Sequence, residues 1–164
     1  MHMDDAVATF LGLSRIAVAG VSRSGDSPAN AIAQRLRETG HEVYAINPAG
    51  VTIDGEPSYP DLAASPAQIE GVVVVTRPEQ ARAIAEQAGR AGVEWIWFHQ
   101  GVGPVSYDDD TLRAANDAGL HVISAGCPMM YCCPDGFHKC ARAVFRFFGR
   151  IPKELPEPTT APRG

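Results

Sequence analysis

Between Cys127 and Cys140 the sequence gathers four thiols and the imidazole of His138. Thiolate and imidazole are the ligands zinc prefers, four of them in a tetrahedron. The spacing holds no Cys-x-x-Cys clamp, however, and the adjacent Cys132 and Cys133 are poorly placed to grip one ion together. Packing of small apolar thiols is the reading this spacing favours, with no metal expected. Thiol exchange stays open as a redox alternative, with Cys127 or Cys132 as the reacting sulfur.

A second chemical feature is the loop Gly20-Val21-Ser22-Arg23-Ser24-Gly25-Asp26-Ser27-Pro28. Small residues let backbone N–H groups approach an anion, and a helix opening behind them adds partial positive charge. The loop can therefore cradle a pyrophosphate. It departs from the dinucleotide fingerprint, because Ser22 stands where that motif has its second glycine. A third feature is Asn47-Pro48, where nicotinamide dinucleotide sites usually carry a carboxylate for the ribose hydroxyls. No such acceptor is present, while Pro48 offers a flat apolar surface for a purine. For general base chemistry the chain has Ser22, His99, His121 and His138, without a nucleophile, base and acid that spacing brings together. His99 is the best placed of them, although a strand-end histidine bonded to backbone is the plainer reading.

The elements that must position these residues alternate short apolar runs with helical patterns, which favours βαβ units and a parallel sheet. Five strands are expected, at Arg15 to Gly20, Glu42 to Asn47, Gly71 to Thr76, Glu94 to His99 and His121 to Ala125. The run Val72 to Val75 is apolar throughout, as in a central strand covered on both faces. Helices are expected from about Pro28 to Thr39, capped by Ser27, from Pro78 to Arg90, from Asp108 to Ala118 and from Phe137 to Phe148. The last should bury Phe137, Ala141, Val144, Phe145 and Phe148, leaving Lys139, Arg142, Arg146 and Arg150 on a solvated face. Within the Gly- and Pro-rich stretch 51–66 only a short edge strand near Pro57 to Tyr59 is expected. The pattern is that of a Rossmann-like three-layer αβα sandwich with a mainly parallel sheet of five to six strands.

At 164 residues and 45% hydrophobic composition the chain can bury one domain's core, placed at 1–150. The proline-rich remainder, 151–164, is expected to be disordered, and the opening Met-His-Met is given no structural weight. A net charge of −5 offers no overall attraction to nucleic acid or to an anionic membrane. No apolar run reaches the roughly 20 residues that span a bilayer, and the start lacks signal-peptide character. A cytoplasmic location is therefore expected.

The phrases IAVAGVS, EVYAINP, VVVVTRPEQA, WFHQGV and AGLHVISAGCPM, in this order, resemble the stand-alone coenzyme A-binding domain proteins. That family is similar in turn to the N-terminal domain of the succinyl-CoA synthetase α subunit. The resemblance covers about residues 5 to 150. It implies coenzyme A or an acyl-CoA as the small-molecule ligand, held without catalysis by the domain alone, and leaves an unknown protein partner open. It also implies that Gly20, Val21, Ser22 and Arg23 meet the phosphates, that Asn47 and Pro48 line the adenine side, and that Val75, Thr76 and Arg77 close the pocket. Many relatives carry a lysine after the Asn-Pro; here Ala49 and Gly50 follow, so Arg23 and Arg77 are the cations expected at phosphate. An NAD(P)-binding oxidoreductase-like protein is the alternative from another class.

Overall fold

The structure is a computed structural model that describes residues 1–53, 55–101, 103, 105–132 and 136–155, with the side chains of 136–138, 140 and 141 outside the description. Its elements in chain order are α1 (Met3–Leu11), β1 (Arg15–Ala19), α2 (Pro28–Glu38), β2 (Glu42–Ile46), β3 (Thr52–Ile53), β4 (Glu56–Tyr59), β5 (Gly71–Val74), α3 (Pro78–Arg90), β6 (Trp95–Phe98), α4 (Asp109–Asp117), β7 (His121–Ile123), a single 3-10 turn (Pro128–Met130) and α5 (Gly136–Phe147). The strands form one sheet in the order β3-β4-β2-β1-β5-β6-β7. Every pairing is parallel except β3 with β4.

Seven strands stand where five to six were expected. The additional one, β3, is two residues long and pairs antiparallel with β4 around Gly55, whose φ of 82° suits glycine at a tight turn. So short a strand carries no periodicity of its own.

Alternation along the strands divides the core into two layers. Ile16, Val18, Val73, Trp97 and Ile123 face one side with Phe10, Ile32 and Leu36. Ala17, Ala19, Val72, Val74, Ile96 and Phe98 face the other with Ile84, Ala88 and Leu120. Helices α1, α2 and α5 cover the first face, and α3 and α4 the second. The helix starts follow their sequence signals where a cap is present. Ser27 accepts from the Asn30 amide at α2, and Asp108 accepts from the Thr111 amide at 2.8 Å at α4.

Three expectations are corrected at the chain ends. The opening residues do carry structure, since α1 buries Met3, Ala6, Val7 and Phe10, the i, i+3, i+4, i+7 face of an amphipathic helix. Residues 151–155 are folded against it rather than disordered, with Ile151 and Leu155 buried. Backbone bonds run from Met3 N to Lys153 O at 2.9 Å and from Leu155 N to Met1 O at 2.9 Å, so proline content marked the boundary too early. Residues 156–164 lie outside the described residues. Of the expected core residues whose side chains are described, Phe145 is buried, while Val144 is 43% exposed and Phe148, just past the end of α5, 71% exposed. The charged side of the helix reaches α1 at the surface, with Arg146 exposed. Arg146 Nη2 meets Asp4 Oδ1 at 2.5 Å, and Arg142 stacks over the Tyr131 ring 4.4 Å from its centroid. Phe137 and Ala141 fall outside the described side chains.

Candidate ligand-binding site

The strand order reverses direction at β1. From there the chain winds one way through α2 to β2 and the other way from β5 through α3 and β6 to β7. Open α/β sheets have their crevice at this switch point, outside the carboxyl ends of the strands. A pocket of about 360 Å³ lies there, lined by Ala19, Gly20, Val21, Ile46, Pro48, Pro60, Thr76, Gln80, Ala83, Ile84 and Gln87. A mostly apolar wall with a few polar groups is the usual make-up of a small-molecule site.

Gly20 sets how closely the two central strand ends approach. Its φ is 105°, and a Cβ at that position would lie 2.3 Å from the Val75 carbonyl oxygen. Only glycine fits a backbone so placed. Beyond it the loop is held by its own polar groups. Asn30, in the first turn of α2, accepts from the Ser22 amide at 2.9 Å through Oδ1 and returns an Nδ2 bond to the Ser22 carbonyl at 2.9 Å. The Ser27 hydroxyl donates to the same Oδ1 at 2.5 Å. Asn47 braces the loop from β2, its Nδ2 donating to the Val21 carbonyl at 2.9 Å while its Oδ1 accepts from the Ala49 amide at 2.9 Å.

Of the residues singled out from sequence, Gly20, Val21, Pro48 and Thr76 meet in the pocket wall. Ser22, Asn47 and Val75 sit directly behind it, in the loop and strand ends that shape it. Arg23 and Arg77 lie outside the wall, exposed, on the loops that follow the adjacent strands β1 and β5. Among the described residues neither guanidinium has a hydrogen bond or ion-pair partner. Sequence reasoning missed Ala19, Ile46, Pro60, Gln80, Ala83, Ile84 and Gln87 as wall residues. The last four stand at i, i+3, i+4 and i+7 on α3, one stripe beside the core stripe Ala81, Ile84, Ala85 and Ala88. That spacing was the available signal.

His99 directly follows β6, buried, with no hydrogen bond to either ring nitrogen among the described residues. Burial holds its pKa below the usual imidazole value, so the ring is neutral at neutral pH. Among the described residues no acid or nucleophile is bonded to it, and none supplies the backbone bond expected of the ring. Cys127 is buried as well, which pushes its thiol up to about 11. A thiol so protonated is a poor nucleophile. Cys132 lies 3.2 Å from the Thr39 hydroxyl, a packing position between α2 and the 3-10 turn. Cys133 lies outside the described residues, as do the side chains of His138 and Cys140.

The sequence pattern of the CoA binding domain family matches residues 14–132, from the start of β1 past the 3-10 turn. The chain belongs to that family. This CoA-binding domain is also 25% identical over 118 residues to an ADP-forming acetate–CoA ligase of Archaeoglobus fulgidus, which covers 68% of the chain but 17% of the ligase. It thus spans only about a sixth of the length of that relative. A hypothetical protein from Pyrococcus horikoshii superposes with a TM-score of 0.71 at 27% identity, covering 79% of this chain and 88% of that one. Acetyl-coenzyme A synthetase 1 of Ca. Korarchaeum cryptofilum shares the fold, with a TM-score of 0.60 at 24% identity over 71% of this chain and 27% of the synthetase. The family and the αβα architecture agree with the resemblance read from the sequence. Among the described residues no helix is long and apolar enough to cross a membrane.

Proposed function

We propose that the switch-point pocket binds coenzyme A or an acyl-CoA, and that the chain is a ligand-binding module without a reaction of its own. The observation that supports this is the meeting of Gly20, Val21, Pro48 and Thr76 in one pocket of a chain from the CoA-binding domain family. The adenine lies on the apolar wall formed by Ile46, Pro48 and Pro60. The pyrophosphate lies along the loop after β1, whose course Asn30 fixes at the Ser22 amide and carbonyl and Asn47 at the Val21 carbonyl. Arg23 and Arg77 supply the cations, their exposed guanidinium groups being suited to the phosphates, the 3′-phosphate included. Helix α3 begins without a side-chain cap, so its N-terminus also favours a negative charge beside Thr76.

Calorimetric titration with coenzyme A, its 3′-dephospho form and NAD tests this reading. Coenzyme A is expected to bind most tightly, with the dephospho form about tenfold weaker for the loss of one charge-assisted contact. No heat with millimolar coenzyme A, equal affinity for its two forms, or tighter binding of NAD would reject the assignment.

A further inference from the structure

From Gly136 to Lys153 the sequence carries Lys139, Arg142, Arg146, Arg150 and Lys153 and not one Asp or Glu, although the whole chain has a net charge of −5. In the same stretch α5 turns apolar side chains to solvent. Ala143, Val144 and Phe147 are exposed at helical spacing, and Phe148 continues their stripe just past the helix end. Phe147 is 85% and Phe148 71% exposed, their rings in edge contact with centroids 5.3 Å apart. Two adjoining phenyl rings left in water are costly, and an exposed apolar cluster of this kind marks a contact with something else. The charges around it narrow what that is. Arg142 and Arg146 meet Asp4 of α1, whereas Lys139 and Arg150 have no acidic partner among the described residues. Arg150 lies over the Phe145 ring, at the same end of the helix as the phenyl pair. A second copy docked face to face here would set like charges against like. An anionic surface with an apolar layer beneath it satisfies the cations and the rings together.

We propose that the outer face of α5 attaches the protein to a membrane surface containing anionic lipid, with Val144, Phe147 and Phe148 entering the boundary between headgroups and acyl chains and Lys139 and Arg150 at the headgroups. Helices with aromatic residues on one face and cations beside them lie in that plane, held jointly by buried apolar area and by anionic lipid. The attachment is peripheral, since no helix among the described residues is long and apolar enough to cross a membrane. The net charge of −5 works against the same surface at longer range, so the attachment is weak, reversible and sensitive to salt. It does not depend on which ligand the switch-point pocket holds.

The test is flotation of the full chain with vesicles of phosphatidylcholine alone and of phosphatidylcholine with an equal part of phosphatidylglycerol, at low and at high salt. Wild type should partition onto the anionic vesicles about tenfold or more strongly than onto the neutral ones, and salt should remove the difference. The double variant Phe147→Ser, Phe148→Ser should lose about tenfold or more of that partitioning with its Tm unchanged, because rings already in water hold nothing in the fold. Lys139→Glu should weaken binding to the anionic vesicles and leave the neutral ones as they were. Absence of wild type from the anionic vesicles, or equal partitioning onto both kinds, would overturn the proposal. So would a double variant that binds as wild type does, or one whose Tm falls, which would mark the rings as packed. A dimer in sedimentation equilibrium that the double variant abolishes would assign the face to a second copy instead.

Discussion

Two strand-to-helix turns flank the pocket, and they treat their polar groups in opposite ways. The turn from β1 to α2 closes on itself, since Asn30 takes up the Ser22 amide, the Ser22 carbonyl and the Ser27 hydroxyl, and Ser27 caps the helix. The turn from β5 to α3 has no side-chain cap, and the side chain of its cap residue, Arg77, is exposed and has no partner among the described residues. The first turn is built to hold a shape, whereas the second presents a helix end and a cation without using either in the fold. A small-residue loop is thus a poor guide to where open donors lie, because its own serines and asparagines compete for the same amides.

The largest effect is expected where the two turns touch. Gly20→Ala places a methyl group against the Val75 carbonyl at a positive φ, so it should cost about 3 kcal/mol or more in chemical denaturation. An unchanged midpoint would show that the two strand ends are not locked together there. A smaller but more telling contrast separates the turns themselves. Asn30→Ala should destabilise the fold by about 1 to 3 kcal/mol, since it strips partners from half-buried backbone groups. Arg77→Ala should leave stability within about 0.5 kcal/mol of wild type and weaken coenzyme A about tenfold. Equal losses of stability in both variants would erase the distinction between a self-braced turn and an open one.

The smallest effect concerns the neighbouring strand end. His99 is held neutral by burial, with a folded pKa below the ordinary 6.5. The unfolded chain therefore takes up its proton first as the pH falls. The contribution is fully present above pH 6.5 and is lost as the pH drops through the folded value. Denaturation midpoints of wild type should decline over that window, and His99→Gln should flatten the decline. Parallel curves for the two proteins would place the titrating group elsewhere.

The parts of the site that were legible in the sequence are those written in backbone grammar. Gly20 at a strand end, Pro48 after a second strand, Thr76 after a third and Ser27-Pro28 at a helix start each follow from the turn chemistry of a βαβ unit. The wall supplied by α3 was not legible in the same way. Gln80 and Gln87 lie beside the core stripe of α3 rather than on it, and their place in a cavity wall follows from where the folded helix sits, not from the pattern. The small strand β3 and the buried Ile151 and Leu155 were hidden for a related reason. Both lie in Gly- or Pro-rich stretches where long-range contacts, not local pattern, decide the structure. Helix α1 was missed, although its Met3, Ala6, Val7 and Phe10 stripe follows helical spacing.

The pairing of the first and last described residues has a mechanical consequence. Three backbone hydrogen bonds join the ends, with Leu155 O accepting from the Met1 amine at 3.3 Å beside the two at 2.9 Å from Leu155 N and Met3 N. The path of the chain is therefore nearly a closed ring. A load applied between the two ends falls first on that short clasp, leaving the ladders of the central strands unstretched. A domain closed in this way can be carried inside a longer polypeptide with its flanking segments entering and leaving at a single point.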